Sequence, residues 1–294
     1  MVDQNSAQIM EALKALGGYA SLASEAPALD FIETPWEVFN HVVLGCGGIP
    51  RGKIIELYAK PSAGKSTLAY ALGGMVQKAG GVVALIDAEH SYQNDYGTRC
   101  GLDNKTLIVP EFGVGEEALE QIKVLLALNI DLIIIDSVPA FQPAQVAGKA
   151  MKDMNMNDNF ARAKMLSIFF NSIIGGYEVA PVPTTANKKP AKIKSTTTHI
   201  VDGKETNTIH KLRDKKTSMI WINHAKTKMG VMFGERTTTP GGESLKFYSS
   251  IRLGMTYMKK SKAKDFGQSD YKIVKVKAAK NKLAQPFGEA LLRL

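Results

Sequence analysis

The sequence has few cysteines and no long apolar run. Its 294 residues include two cysteines, Cys46 and Cys100, and neither stands beside histidine or another cysteine at metal-ligand spacing. This scarcity argues against structural zinc and favours a reducing compartment, with the cysteines packed in the core. The N-terminus lacks a basic segment followed by a long apolar stretch, and no run of about 18 apolar residues occurs. We therefore expect no membrane contact and a cytoplasmic location.

Acidic residues are also in deficit, and the formal net charge is +9. A surplus of Lys and Arg attracts polyanions such as nucleic acid, with acidic lipid or protein surfaces as the alternative. The length suits one principal domain, to which we assign residues 31–294.

Residues 1–30 read as a short amphipathic helix and a linker. Ile9, Leu13 and Leu16 have helical spacing, and Gly17 with Gly18 would end the helix before a connector rich in Ala and Ser. Such a piece is too small to fold alone. In the interpretation of the whole chain preferred below, it docks onto the next subunit of an assembly.

Strands and helices alternate in the next part of the chain. The apolar runs KIIELYA, VVALID, TLIV and DLIIID predict strands, and residues 65–79 and 116–128 predict helices. This alternation predicts an α/β fold with a parallel sheet covered by helices on both faces.

The second half of the chain is less regular. A Met- and Asn-rich stretch over 145–160 predicts a flexible loop, and 161–174 predicts a helix. Residues 175–217 form a basic segment in which Asp202-Gly203 predicts a hairpin turn. The runs SMIWIN, FYSSIRLGMTYM and YKIVKVKAA predict strands, the last two separated by the exposed basic run KKSKAK.

The run AKPSAGKST, after an apolar strand and before a predicted helix, has the context of a P-loop. Small residues let successive backbone N–H groups converge on phosphate, and the helix N-terminus adds its positive end. Lys65 would reach the β- and γ-phosphates of ATP, and the Ser66 hydroxyl would bind Mg²⁺. Ala59 stands where the strict pattern has Gly. The residues predicted to cradle the nucleotide are Lys60, Pro61, Ser62, Ala63, Gly64, Lys65, Ser66 and Thr67.

Two further strands end in carboxylates. Asp136 closes LIIID, where the carboxyl end of a parallel strand can hold the water shell of Mg²⁺. Asp87 and Glu89 follow the strand VALID, and either could orient or deprotonate an attacking water. The residue pattern leaves Asp87 and Glu89 open as alternatives for the base, and a structural salt bridge remains possible for both.

The segment 226–242 mixes basic, apolar, Gly and Thr residues. Basic groups can meet phosphates, and apolar side chains can wedge between bases. We expect a contact with single-stranded DNA; the alternative is a mobile loop whose Phe233 tucks into the core.

Five stretches across residues 30–290 resemble the ATPase core of bacterial RecA and phage recombinases. They are ALDFIETPWEVFNHVVLGCGGIPRGKIIELYAKPSAGKST, ALIDAEHSYQNDYGTRCGLD, LIIIDSVPAF, INHAKTKMGVMFGERTTTPGGESLKFYSSIRL and VKAAKNKLAQPF. The resemblance implies a RecA-like P-loop ATPase core with a mostly parallel central sheet. It makes Glu89 the catalytic glutamate and Tyr96 a residue that stacks on adenine.

The resemblance also implies contacts with DNA and with neighbouring subunits. Residues 226–243 become the second DNA-binding loop, and the Met-rich stretch before Ala161 becomes the first. Lys280 and Lys282 match catalytic lysines that reach the neighbouring subunit's ATP, with Lys246 and Phe247 at the same interface. The residues expected to bind DNA are Lys164, Lys226, Lys228, Met229, Met232, Phe233, Arg236, Gly241 and Gly242.

Three departures from the family pattern stand out. His224 replaces a glutamine that senses the γ-phosphate, which predicts weaker or pH-dependent coupling; the alternative is an ordinary core histidine. The basic segment 175–217 exceeds the usual connection, and a second DNA contact and a merely solvated insertion are held open. Since the chain ends at Leu294, we expect the C-terminal domain of bacterial RecA to be absent.

The sequence therefore predicts a DNA-dependent ATPase that forms helical filaments on single-stranded DNA. With ATP and Mg²⁺ it would promote pairing and strand exchange with double-stranded DNA in recombination and repair. Expected partners are further copies of the chain, and a loader or single-stranded-DNA-binding proteins. The expected location is the cytoplasm of a bacterial host or a bacterial cell, and the short length favours a phage over a cellular source. The alternatives are a ring-forming motor related to helicases and a coat protein in which ATP switches DNA affinity.

Overall fold

The computed structural model describes residues 4–15, 24, 28–150, 158–179, 200–201, 204–205, 209–227, 237–261 and 271–294. The chain divides into two compact units, Met1–Asp30 and Phe31–Leu294. In the first unit, helix α1 (Gln4–Ala15) carries the exposed side chains of Ile9 and Leu13. Leu16, Gly17 and Gly18 lie outside the described residues, and the docking role of this unit stays a prediction.

The second unit contains the strands and the remaining helices. The helices are α2 (Lys65–Lys78), α3 (Asn94–Arg99), α4 (Gly115–Ala127), α5 (Ala144–Ala147), α6 (Asp158–Gly175) and α7 (Ser244–Tyr248). The strands are β1 (Phe31–Ile32), β2 (Ile49–Pro50), β3 (Ile54–Ala59), β4 (Val83–Asp87), β5 (Leu132–Asp136), β6 (Ile200–Val201), β7 (Lys204–Glu205), β8 (Ser218–His224), β9 (Lys226–Thr227), β10 (Thr237–Thr238), β11 (Ile251–Ser261), β12 (Tyr271–Asn281) and β13 (Glu289–Arg293). Short 3₁₀ or π turns cover Phe39–Val43, Val138–Ala140 and Leu212–Asp214.

A seven-stranded sheet forms the centre, in the order β13-β12-β11-β3-β8-β5-β4. The strands from β11 to β4 are parallel, whereas β12 and β13 add to β11 in antiparallel fashion. The prediction of a mostly parallel α/β sheet is confirmed.

Helices cover both faces of this sheet. Leu68 and Leu72 of α2 pack in one core cluster with Ile134 of β5. The alternate β5 residues Ile133 and Ile135 belong to a second cluster, which contains α4 and α6. Because successive strand residues point to opposite faces, burial on both sides explains why β5 reads as a continuous apolar run.

Several predicted boundaries were wrong. The run TLIV contributes only an isolated bridge from Ile108 to Ala84. The predicted loop 145–160 is helical at both ends, since α5 extends to Ala147 and α6 begins at Asp158. An acidic residue in the first turn complements the helix dipole there; residues 151–157 lie outside the described residues.

Three other predictions concern the later strands, the basic run between them and the hairpin. Phe247 and Tyr248, predicted as strand, belong to α7, because the amide of Phe247 bonds the Glu243 carbonyl in a helical turn. The basic run KKSKAK begins inside β11, whose Lys259–Ser261 backbone pairs with β12. The predicted hairpin is confirmed by the antiparallel pairing of β6 with β7, although Asp202 and Gly203 lie outside the described residues.

The two cysteines are free and pack against the first core cluster, as predicted. Within the described ranges, no helix is long and apolar enough to cross a membrane.

Asp131 ties three segments together at the amino end of β5. Its carboxylate accepts hydrogen bonds from the Val82 amide and from Arg51, both at 2.9 Å, and lies 3.1 Å from the Lys216 ammonium. Burial raises the pKa of Asp131, but the Val82 amide, Arg51 and Lys216 outweigh that effect and hold the pKa below its ordinary value.

We expect Asp131→Asn to lower the free energy of unfolding at pH 7 by about 1–3 kcal/mol, because it weakens a half-buried network. The folded-state pKa is depressed, so the charge stabilises the fold above the unfolded value of about 3.9, and this contribution is lost as pH falls through the folded pKa. The melting-temperature difference between wild type and variant should therefore shrink as pH is lowered from 7. Asp214→Asn, at a carboxylate that is 61% exposed, is the control. A difference that grows on acidification would contradict this account.

Candidate active site

The loop between β3 and α2 has the shape of an anion cradle. Gly64 caps α2 with a left-handed backbone at φ +92°, a conformation that favours glycine. The helix begins at Lys65, so its free N–H groups and positive dipole end face the loop. The predicted order of strand, loop and helix is confirmed, and Lys60 through Thr67 are brought together at this turn.

Lys65 is a buried cation, 7% exposed, whose ammonium donates to the Lys60 carbonyl at 3.2 Å. Burial lowers the pKa of Lys65 because it penalises the charged form, and Asp136 and Glu89 partly restore it. Anionic ligand oxygens would stabilise this ammonium further, as expected of a lysine that binds phosphate.

Asp136 stands at the carboxyl end of β5 and is 4% exposed. It accepts hydrogen bonds from the Ser66 hydroxyl and, at 3.1 Å, from the Tyr70 hydroxyl. Burial raises the pKa of Asp136, opposed by the Ser66 and Tyr70 bonds, while nearby Glu89 and Asp87 raise it further. Ser66 and Asp136 thus offer a hydroxyl and a carboxylate side by side, hard oxygen donors that fit Mg²⁺.

Asp87 and Glu89 have different surroundings. The Asp87 carboxylate accepts the backbone amides of Ser91 at 3.2 Å and Tyr92 at 2.9 Å, so both of its oxygens hold the turn after β4. Glu89 accepts a hydrogen bond from the Ser137 hydroxyl and lies 3.6 Å from His224 Nε2. Glu89 is therefore the carboxylate oriented by side chains of the site.

His224 ends β8 beside Glu89. Burial lowers the pKa of His224, Lys65 lowers it too, Glu89 raises it and Lys226 lowers it again. The net direction favours a neutral imidazole at pH 7.

Tyr96 reaches the loop from α3. Its hydroxyl lies 2.5 Å from the Thr67 hydroxyl, and the Arg99 guanidinium stands 5.8 Å from the ring centroid. Tyr96 is 37% exposed beside the loop, and its predicted stacking on adenine stays a prediction.

The four predicted interface residues also meet. Lys280 donates to the carbonyls of Lys246 at 2.6 Å and Phe247 at 2.9 Å, and Lys282 donates to the Phe247 carbonyl at 3.1 Å. The Phe247 ring is 67% exposed, and the Lys282 ammonium lies 5.4 Å from its centroid. Burial, Lys282 and Arg252 lower the pKa of Lys280 to about 8.

A buried polar chain crosses three neighbouring strands. Glu56 of β3 is fully buried, pairs with Arg252 of β11 and accepts a 2.9 Å bond from the Asn223 amide. The same amide donates to the Pro240 carbonyl at 3.0 Å. Asn223 precedes His224. These hydrogen bonds therefore link the carboxyl end of β8 to the turn that precedes Gly241.

The predicted DNA-binding residues are only partly described. Lys226 is exposed on β9, and β9 pairs with β10 at the base of residues 228–236. The glycines after this segment have positive φ, +93° at Gly241 and +78° at Gly242. A Cβ on Gly242 would lie 2.9 Å from Ala163 of α6, and one on Gly241 would lie 3.0 Å from Leu166 of the same helix. Glycine at both positions therefore lets this backbone pass close to α6, the helix that carries Lys164. The predicted residues outside the described ones are Lys228, Met229, Met232, Phe233 and Arg236.

Sequence reasoning missed Tyr70, Ser137, Glu56 and Asn223. Two signals were available: Tyr70 stands four residues after Ser66 and so shares its helix face, and Glu56 interrupts an apolar strand. Ser137 and Asn223 are polar residues at strand ends, and their roles depend on hydrogen bonds that a pattern does not specify.

Comparison with known families agrees with this geometry. The sequence model of the RecA N-terminal domain matches residues 23–177 and 203–294. The match passes over 178–202, which lies within the basic segment 175–217.

Curated relatives named Protein RecA align with most of the chain. That of Mycoplasma mobile is 35% identical over 252 residues, 85% of this chain and 64% of the relative. That of Chloroflexus aurantiacus is 34% identical over 273 residues, 91% of this chain and 65% of the relative, and that of Thermus aquaticus is 36% identical over 256 residues, 86% and 63%. The chain thus spans less than two thirds of the length of each of these relatives.

The family match covers both halves of the central sheet together with the loop, the carboxylates and the lysine pair described above. The chain therefore belongs to the family of the RecA N-terminal domain.

Proposed function

We propose that the protein is a DNA-dependent ATPase that assembles along single-stranded DNA and promotes its pairing with homologous duplex. The observation that carries the proposal is the arrangement around Lys65, where a buried ammonium, Asp136 and Glu89 meet at one edge of the sheet. Likeness to relatives named RecA supports it.

ATP would bind with its phosphates against the amides of residues 60–67 and the Lys65 ammonium, and with adenine against Tyr96. Ser66 and Asp136 would hold Mg²⁺, which neutralises phosphate charge when bound. Glu89, oriented by Ser137, would position the attacking water and accept its proton. Asp87 is a poorer candidate because two backbone amides already occupy its oxygens.

Lys280 and Lys282 would act on the ATP of an adjacent subunit. Positive charge supplied across the seam stabilises the charge that develops on the phosphate oxygens, as an arginine finger does. With a pKa of about 8, Lys280 would be mostly protonated at pH 7. A phosphate nearby would favour the charged ammonium further. Phe247, exposed beside the two lysines, would pack against the neighbouring subunit.

DNA would be sensed at both ends of the segment 226–242. At one end His224 lies beside Glu89, two residues before Lys226. At the other end Asn223 holds the Pro240 carbonyl. If DNA binding moves this segment, the movement would therefore shift Asn223 and His224, adjacent residues of β8, and so change the surroundings of the Glu89 carboxylate.

The test is ATP hydrolysis by purified protein with and without single-stranded DNA, paired with negative-stain imaging in an ATP analogue. We expect DNA-stimulated turnover and helical filaments. Equal turnover with and without DNA, together with monomers only, would overturn the proposal. Closed hexamers that unwind duplex would favour the ring-forming motor, and slow turnover with tight nuclease protection would favour the coat protein.

Glu89→Gln should bind ATP and DNA as wild type does but hydrolyse about 10²–10⁴-fold more slowly, the usual contribution of a general base. Asp87→Asn is the matched control, because it alters a carboxylate of the same strand end that holds a turn; its turnover should stay within about threefold of wild type. Single-turnover kinetics separate hydrolysis from binding. A fully active Glu89→Gln variant would move the base elsewhere.

We further propose that the basic insertion contacts DNA. Its ends are joined by a backbone bridge in which Tyr177 and His210 exchange hydrogen bonds of 2.9 and 2.8 Å. Between them, residues 181–207 carry five lysines against two carboxylates. An insertion closed at its base can be shortened without disturbing the core. Leu212 is buried and Lys215 donates to the Ala127 carbonyl, so the change must stop before His210.

Replacing 181–207 by a short Gly-Ser linker should flatten the dependence of DNA affinity on salt, lowering the log–log slope by about 1–3. A full-length variant with Lys188, Lys189, Lys192, Lys194 and Lys204 changed to Gln should show the same change, because it removes charge and keeps length. Affinity measured by fluorescence anisotropy over a salt series gives the slope. Unchanged slopes in both variants would assign the insertion to solvent or to a protein partner.

A further inference from the structure

Tyr70 is a buried residue to which the proposed function assigns no role. It lies on α2 one turn after Ser66 and is 3% exposed. Its hydroxyl donates to Asp136 Oδ2 at 3.1 Å. Residues four apart share a helix face, so Ser66 and Tyr70 approach the same carboxylate from one helix.

The two hydroxyls hold Asp136 in different ways. A serine hydroxyl can donate its proton to the carboxylate and still offer lone pairs to a cation. The Tyr70 hydroxyl bonds Oδ2 from the protein interior. With both bonds in place, the carboxylate of a 4% exposed residue is fixed in orientation before any cation arrives.

Neighbouring rings hold Tyr70 in position. Tyr92 packs edge-on at 5.6 Å and Tyr96 at 6.2 Å between ring centroids. The hydroxyls of these neighbours are engaged elsewhere, that of Tyr92 with Asn104 and that of Tyr96 with Thr67. The Tyr70 hydroxyl is thus left to donate to the Asp136 carboxylate, which can only accept.

We infer that Tyr70 is a positioning residue for the divalent cation of the nucleotide site, acting by orienting the Asp136 carboxylate through its hydroxyl. The inference rests on the proposed function only in that the loop must bind a magnesium nucleotide. Neither the loop motif nor the strand that ends in Asp136 requires a tyrosine at this position.

The test compares Tyr70→Phe with Tyr92→Phe, two variants that each remove one hydroxyl from the same aromatic cluster. ADP affinity is measured by calorimetry in saturating Mg²⁺ and in EDTA, and the ratio of the two affinities reports the cation. We expect Tyr70→Phe to lower this ratio about fivefold to tenfold, the loss of one hydrogen bond to a carboxylate. ADP affinity in EDTA should stay within about twofold, and Tyr92→Phe should keep the wild-type ratio.

A double-mutant cycle shows whether Tyr70 acts through Asp136. In an Asp136→Asn background, Tyr70→Phe should no longer change the ratio, because the carboxylate it orients is gone. This comparison keeps its meaning if Tyr70→Phe also lowers stability, since a general packing defect would persist in both backgrounds.

The outcomes separate the two proposals. If wild type binds ADP with a clear Mg²⁺ dependence and Tyr70→Phe shows the same ratio, Tyr70 has no positioning role and the proposed function is untouched. An undiminished effect of Tyr70→Phe in the Asp136→Asn background would also overturn the inference. If wild type binds no ADP in either condition, the proposed function fails, and the inference fails with it.

Discussion

A lysine ammonium buried between two carboxylates is the constraint around which this molecule is organised. Lys65 is 7% exposed, and its charge is compensated by Asp136 and Glu89. Burying a charge is costly unless partners are held in place, so the loop, β4 and β5 must keep a fixed geometry. In the proposed function, phosphate oxygens would add further partners for this ammonium.

The sheet supplies that geometry through the order of its strands. Four parallel neighbours, β3, β8, β5 and β4, end in turn at the P-loop, His224, Asp136 and the segment with Glu89. Ligands of open parallel sheets bind at this carboxyl edge. Beyond β3, strand β11 is still parallel, and β12 pairs with β11 in antiparallel fashion, which brings Lys280 and Lys282 to the carbonyls of α7. One sheet thus carries the nucleotide loop and the lysines proposed to act on a neighbour's nucleotide.

The sequence predicts those features that depend on local pattern. Apolar runs indicate β3, β4, β5 and β8. The loop with Gly64 and Lys65 is predictable because all of its residues are consecutive in the sequence. Predictions fail where long-range hydrogen bonds decide the outcome. Asp87 is a poorer candidate for the base than Glu89 because two backbone amides donate hydrogen bonds to its carboxylate. Phe247 has the residue type of a strand, yet it takes part in a helical turn. The contact of Tyr70 with Asp136 joins residues 66 positions apart, so no local pattern contains it.

The central claim is that ATP is sandwiched at the seam between adjacent protomers, and mixing two inactive variants tests it directly. Lys65→Ala removes the loop lysine and keeps Lys280 and Lys282, whereas the Lys280→Ala/Lys282→Ala variant keeps the loop and lacks both lysines. On this account, a seam between one protomer of each kind would contain a complete site. On single-stranded DNA we predict that the mixture hydrolyses ATP although neither variant alone does. Mixed filaments that form but remain inactive, or a lysine-pair variant that is active alone, would contradict the claim.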